Sequence, residues 1–309
     1  MRFVYFGSSQ FSRVVLAGLA SAKLLPLMVI TTPDKPKGRS LKVRSTPVKE
    51  FSVENKIETI TPYDLKEKPL LEKIRALNAD IFIVASYGNL IPRELLDLPR
   101  IMPIAVHPSL LPRYRGAAPI NWAIIKGEKV TGVSIFKINE KIDAGEIIIQ
   151  QPLEIEDSDD AVTLSEKLAH LSSSLLLKVI PSLERKTYRL IPQDESKATF
   201  APKLKKEDGH IKWETDAFSI RNLVRGLRPW PEAFSFYRGK LIKILEAEVV
   251  DETAPFEPST IVRIEKDAIY VAAGRGIIKI TKVKPEGKRE MLVRDFLCGH
   301  HLKEGEKLS

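Results

Sequence analysis

Residues 2–30 read RFVYFGSSQFSRVVLAGLASAKLLPLMVI, and three elements follow one another within them. Arg2 to Phe6 is a short apolar-rich run stopped by Gly7, the pattern of a buried strand. Phe11, Val14, Val15 and Leu19 then recur at helical spacing, with Leu16 widening the apolar face. Leu24 to Ile30 is apolar again and gives way to Thr31-Thr32-Pro33, so a second strand is expected. Asp80 to Ala85 (DIFIVA) adds a third, whose unbroken apolar run suits a sheet covered on both faces. Lys66 to Leu77 carries helical periodicity, Gly132 to Ile138 and Glu146 to Gln150 read as later strands, and Asp159 to Leu183 as one long helix. Strands alternating with helices predict an α/β domain with a mainly parallel sheet.

The texture changes near Thr187. Arg189 to Lys197 is polar and broken by Pro192, the composition of a linker. Beyond it come a helix around Ala217 to Val224 and short β-like runs at Leu241 to Ala247, Thr260 to Ile264, Ala268 to Val271 and Ile277 to Val283. Strands at this spacing predict a small barrel or a sandwich, with Gly274-Arg275-Gly276 as a hairpin. The expected organisation is a first domain over residues 1–188, a linker over 189–206 and a second domain over 207–309.

The total of 309 residues suits two domains, and 43% hydrophobic residues give material for two cores. No run of eighteen apolar residues occurs, and no secretory signal is visible at the amino terminus. The single cysteine, Cys298, can make neither an internal disulfide nor a thiolate zinc cage. A cytosolic or organelle-matrix location with no membrane partner is therefore expected. The net charge of +9 favours polyanionic partners. Six of the cations lie between Lys35 and Lys49 with no acid among them, in a loop interrupted by Pro36, Gly38 and Pro47. Phosphate is the obvious counter-ion for such a loop; a solvated loop is the alternative. A second basic group, Lys282, Lys284, Lys288 and Arg289, reads equally as a footprint or a solvated face.

Chemistry is signalled elsewhere. His107 closes an apolar run (Ile104, Ala105, Val106), which puts an imidazole at a strand's carboxyl end, where open α/β sheets place their sites. Pro108, Pro112, Arg113, Arg115 and Gly116 follow within ten residues and stiffen the chain around it. Asp143, on the turn Ile142-Asp143-Ala144-Gly145, could orient that imidazole or be an ordinary turn aspartate. G-x-G-x-x-G does not follow the first strand, and P-loop, H-E-x-x-H and paired-cysteine patterns are absent, so neither nucleotide redox chemistry nor a metal is expected.

Taken together these segments resemble the methionyl-tRNA formyltransferase family. The resemblance rests on RFVYFGSSQFS, PDKPKGRSLKVRSTPVKE, ASYGNLIP, HPSLLPRYRGAAPI, KIDAGE, ATFAPKLKKEDGHIKW, RGLRPWPEAFS and KPEGKREMLVRDFLCGH, which span nearly the whole chain. The Ser-Leu-Leu-Pro signature is shared with other 10-formyltetrahydrofolate-dependent formyltransferases, including those acting on nucleotide sugars. The resemblance implies a doubly wound, mainly parallel α/β domain followed by a smaller OB-like β-barrel. It implies 10-formyltetrahydrofolate as co-substrate, initiator methionyl-tRNA as partner and no metal; a monomer is expected. By the same resemblance His107 and Asp143 are catalytic, Ser109, Leu110, Leu111, Pro112, Tyr87 and Gly88 contact folate, and Arg39, Lys42 and Arg44 contact tRNA.

One position departs from the family pattern. Where the family carries asparagine, two residues before the histidine, this chain has Ala105, which has no side-chain donor. Loss of one oxyanion donor costs on the order of 10²- to 10³-fold in rate, so impaired transfer is expected unless water or His107 holds the oxygen. Asn89 and Asn121 are the nearest amides in sequence. The rival readings are a nucleotide-sugar N-formyltransferase and a catalytically silent tRNA-binding protein.

Overall fold

A computed structural model of the chain describes residues 1–37, 42–251 and 256–309. Two compact units emerge: Met1–Pro119 with Val130–Glu154 and Ser165–Ala201, and Ile120–Lys129 with Ile155–Leu164 and Pro202–Ser309. The chain begins with β1 (Phe3–Gly7), α1 (Gln10–Ser21), β2 (Met28–Ile30), the pair β3 (Lys35–Lys37) and β4 (Lys42–Arg44), α2 (Pro47–Glu54) and β5 (Thr59–Ile60). It continues through α3 (Lys68–Ala76), β6 (Ile81–Ala85), α4 (Arg93–Leu96), β7 (Met102–His107), β8 (Arg115–Gly116) and α5 (Pro119–Ile125). Next come β9 (Val130–Lys137), β10 (Ile147–Glu154), α6 (Ala161–Glu184) and β11 (Phe200–Ala201).

Seven of these strands form one sheet in the order β10-β9-β7-β6-β1-β2-β5. β2 and β6 flank β1 in parallel, β5 and β7 extend the parallel part outward, and β9 and β10 are antiparallel at one edge. β1 and β7 are buried at every residue, as strands covered on both faces must be. α1 begins at Ser9, whose hydroxyl accepts the Ser12 N–H, and it buries Phe11, Val15, Leu16 and Leu19. The chain passes from β1 to β2 on one flank and later to β6 on the other. Strand order therefore reverses between β1 and β6, the place where doubly wound sheets bind ligands.

The second unit holds α7 (Ala217–Gly226), β12 (Ala233–Tyr237), β13 (Lys240–Asp251), β14 (Ile261–Ile264), β15 (Ile269–Ala272), β16 (Ile277–Pro285), β17 (Met291–Leu292) and α8 (Val293–Gly299). Its sheet is antiparallel throughout, in the order β12-β13-β16-β15-β14 with β17 on β16. Residues 305–309 join its two edges. On the β14 side the Gly305 N–H donates to Ile261 O and the Ile261 N–H to Glu306 O; on the β12 side Ser309 and Phe236 exchange backbone hydrogen bonds. Each edge is thereby partly covered, which leaves less of its ladder open to a second chain. The interior is filled by Trp213, Ile220, Ile244, Val271 and Ile278 among others.

Glu306 fastens this closure. Its carboxylate accepts from Arg238 and, at 2.6 Å, from the Tyr237 hydroxyl, while the Lys303 N–H donates at 2.9 Å. Arg238 first, then Tyr237 and the Lys303 amide, hold its pKa down at about 2. A folded-state value below the unfolded one stabilises at neutral pH, and that stability is lost as pH falls through about 2. Glu306→Gln should therefore lower the melting temperature at pH 7 and make little difference near pH 2. An equal loss at both values would show that the carboxylate's charge is not what holds the segment.

Three departures from the sequence reading have local causes. The strand expected from Leu24 is confined to Met28–Ile30, because Pro26 has no N–H for the ladder. β12 is unexpected, since Pro229 and Pro231 just before it give the sequence the look of a loop. Residues 191–201, inside the expected linker, run along the first unit, with Ile191 bridging Ile147 and β11 pairing in parallel with β8. Among the described residues no helix is long and apolar enough to cross a membrane.

Candidate active site

β7 carries Ala105 and His107 two residues apart, so both project from the same face of the sheet. Ala105 lies between Val84 of β6 and Phe136 of β9, and it packs with Leu111, Phe136 and Ile147. His107 is buried, and its Nε2 lies 2.8 Å from the Tyr114 carbonyl. A carbonyl oxygen only accepts, so Nε2 carries the hydrogen and Nδ1 is left with the lone pair in the neutral ring. Nδ1 faces Asp143 Oδ2 at 3.6 Å. The same Oδ2 accepts the Gly116 N–H at 2.8 Å. Imidazole and carboxylate are thus aligned for proton transfer, since a proton arriving at Nδ1 creates a cation beside an anion already held in place.

Two glycines make this alignment possible. Gly116 has φ +121°, and a Cβ there would lie 2.7 Å from the Ala201 carbonyl oxygen. At Gly145 a Cβ would meet the Lys137 carbonyl oxygen at 1.7 Å, so the turn carrying Asp143 reaches the end of β9 only without a side chain. Asp143 itself sits at φ +49°, in the left-handed region that Asp tolerates better than most residues.

A cavity of about 690 Å³ is lined by Asp143 and by Ala105, while His107 lies behind them and is not itself part of its lining. Ala105, Val84, Ile91, Phe136 and Ile138 supply apolar wall, and Asn89, Asn139 and Asp143 supply polar groups. Lys66, Arg93 and Lys141 also line it, Arg93 being ion-paired with Glu140. A mostly apolar pocket of this size with a few convergent polar groups suits a ligand as large as a folate. Among the described residues no cluster of three or more His, Cys, Asp or Glu could hold a metal.

The remaining expected site residues fall into two groups. Ser109 to Pro112 do not line the cavity but are held firmly next to β7, Leu111 packing on Ala105: Ser134 Oγ donates to Ser109 O at 2.6 Å and accepts the Leu111 N–H at 3.0 Å. Gln150 Nε2 donates to Leu111 O at 2.8 Å, and Ser109 Oγ donates to Arg113 O at 2.6 Å. Leu110 reaches toward β9, where it would meet any side chain at Gly132. Tyr87 is buried edge-on against Phe6 at 5.6 Å, and that burial pushes its phenol up. Gly88 turns the chain at φ +89° toward Asn89 at the cavity. Asn121 donates to Gly226 O, within the second unit.

Of the basic loop, Arg39 lies outside the described residues, Lys42 pairs through its backbone with Lys37, and Arg44 is exposed. Lys49 is tied to Asp34 at 2.7 Å. Lys282 and Lys284 have acidic neighbours in Glu246, Glu290 and Glu232, which favours the solvated-face reading there. Sequence reasoning missed Phe136, Asn139 and Arg115 as site residues. Arg115 alone carried a signal, as one of two arginines in the stiff stretch after His107.

Residues 1–180 match the family described as formyl transferase, and residues 203–301 match formyl transferase, C-terminal domain. The chain is 41% identical over 308 residues to a methionyl-tRNA formyltransferase of Caldanaerobacter subterraneus subsp. tengcongensis, covering 99% of each. It is 41% identical over 309 residues to the Acetivibrio thermocellus protein of that name, covering all of this chain and 99% of the relative. Among solved structures, an N-formyltransferase from Helicobacter canadensis in complex with folinic acid and dTDP-3-aminofucose superposes with a TM-score of 0.69. That match has 17% identity and covers 94% of this chain and all of the other, so it speaks for the fold alone.

Proposed function

This chain belongs to the formyl transferase family, with the amino-terminal and C-terminal domains of that family both present, and from that premise we propose that it formylates the α-amino group of methionyl initiator tRNA, using 10-formyltetrahydrofolate. The observation that carries the reading is the His107–Asp143 pair, whose Asp143 lines a folate-sized cavity, in a chain matched end to end by methionyl-tRNA formyltransferases.

The amine nitrogen attacks the formyl carbon, forming a C–N bond and a tetrahedral centre with an oxyanion and an ammonium. His107 Nδ1 takes a proton from that ammonium, and Asp143 stabilises the resulting imidazolium. The centre collapses as the bond from carbon to the folate nitrogen breaks, and that nitrogen receives the proton. Formyl-methionyl-tRNA and tetrahydrofolate are the products. The position nearest the oxyanion in the family pattern is Ala105, so the chain works slowly for want of one donor. Asn89 and Asn139 line the same cavity and are the amides within it that could partly replace that donor.

The tRNA is met by the basic loop, with Arg39, Lys42 and Arg44 on its phosphates, and the chain acts as a cytoplasmic monomer. Changing those three residues to Ala should weaken tRNA binding and flatten the dependence of log K on log salt by about 0.9 for each phosphate no longer neutralised. An unchanged slope would remove the loop from the interface. The substrate itself is tested by offering ¹⁴C-labelled 10-formyltetrahydrofolate with equimolar methionyl initiator tRNA and a dTDP-amino sugar. Label is expected on the tRNA; label on the sugar would establish the rival reading.

A further inference from the structure

We propose that Gln193, backed by Arg115 and Glu195, is a positioning residue that fixes Asp143 against His107. Its carboxamide is saturated. Nε2 donates to the carbonyl oxygens of Asp143 and Gly145 at 2.9 and 2.7 Å, and Oε1 accepts from Arg115 Nε and Nη2 at 3.1 and 2.7 Å. Carbonyls only accept and a guanidinium only donates, so the amide has one admissible orientation. Arg115 is buried and forms a two-pronged pair with the Glu195 carboxylate at 2.8 and 2.9 Å. Such a fork fixes direction as well as distance.

The chain on either side of Arg115 explains what this fixes. Tyr114 supplies the carbonyl that takes His107 Nε2–H, and Gly116 supplies the N–H that holds Asp143 Oδ2. One tripeptide therefore grips both members of the pair, and its central side chain is anchored to the glutamine that grips the Asp143 turn from behind. Asp143 needs that second grip because its φ of +49° is a sparsely populated conformation for a non-glycine residue. Such conformations persist where the surroundings over-determine them.

The kinetic part of the test rests on the proposed formyl transfer; the spectroscopic part does not. Gln193→Glu keeps the shape and the pairing with Arg115 but has no N–H for the two carbonyls, whereas Gln193→Leu removes both functions. In both variants the Gly116 amide, followed by ¹H–¹⁵N NMR, should lose the downfield displacement that the carboxylate gives it and exchange with solvent at least about 10-fold faster. Formylation kcat should fall on the order of 10-fold with KM unchanged, since misplacement acts on the reacting geometry. Combined with Asp143→Asn, either change should cost less than the product of the separate losses. Should Gln193→Leu fail to fold, Gln193→Glu carries the test alone. A Gly116 amide unaltered in Gln193→Glu would overturn the proposal. If no protein in the set formylates tRNA while the Gly116 amide responds as described, the functional reading fails and the positioning role stands.

Discussion

Replacing Ala105 with Asn is expected to raise the rate of formyl transfer by on the order of 10²-fold or more, the reciprocal of what removing one oxyanion donor costs. The geometry admits the change. Ala105 is buried yet lines the cavity and shares a strand face with His107, so the cavity is the room open to a carboxamide added there. Leu111, Phe136 and Ile147 fix the base of the side chain. The gain should appear in kcat, because the donor meets an oxygen that bears charge only in the transition state. Little change in rate would mean that another group, Asn89 or Asn139 among those lining the cavity, already holds that oxygen.

Removing the imidazole works in the opposite direction. His107→Ala should lower kcat by about 10²- to 10⁴-fold, the range of a positioned general base. Asp143→Asn should cost less. In a serine protease triad the same exchange is severe because it leaves the histidine in the wrong tautomer. Here the tautomer is set by the Tyr114 carbonyl on Nε2, not by the carboxylate. What Asn at 143 removes is the charge beside the imidazolium, a loss of the size that separates charged from neutral hydrogen bonds. Equal losses for the two changes would mean that Asp143 does more than stabilise a cation.

The middle of the sheet was readable because its strands are buried on both faces and their apolar runs are unbroken. DIFIVA and the run ending in His107 fall on β6 and β7. His107 stands out for a different reason: it closes β7, where a polar side chain breaks an apolar pattern, whereas Asp143 lies in the turn between β9 and β10 and only the family resemblance singled it out as catalytic. Phe136 could not be identified in the same way. It looks like any core residue of β9 until the register sets it opposite Ala105. Gln193 was hidden more deeply, because a polar stretch containing proline has the composition of a linker whether or not its side chains are engaged. Its role depends on hydrogen bonds made fifty residues from Asp143 and seventy-eight from Arg115, which no local pattern records.

The most direct test is a single-turnover measurement of formyl transfer from 10-formyltetrahydrofolate to methionyl initiator tRNA, run side by side on the unaltered chain, Ala105→Asn and His107→Ala. The expected order is Ala105→Asn fastest, the unaltered chain slower and His107→Ala slowest, with adjacent members separated by about 10²-fold. Three equal rates, or formyl-methionyl-tRNA formed by none of the three, would contradict the account.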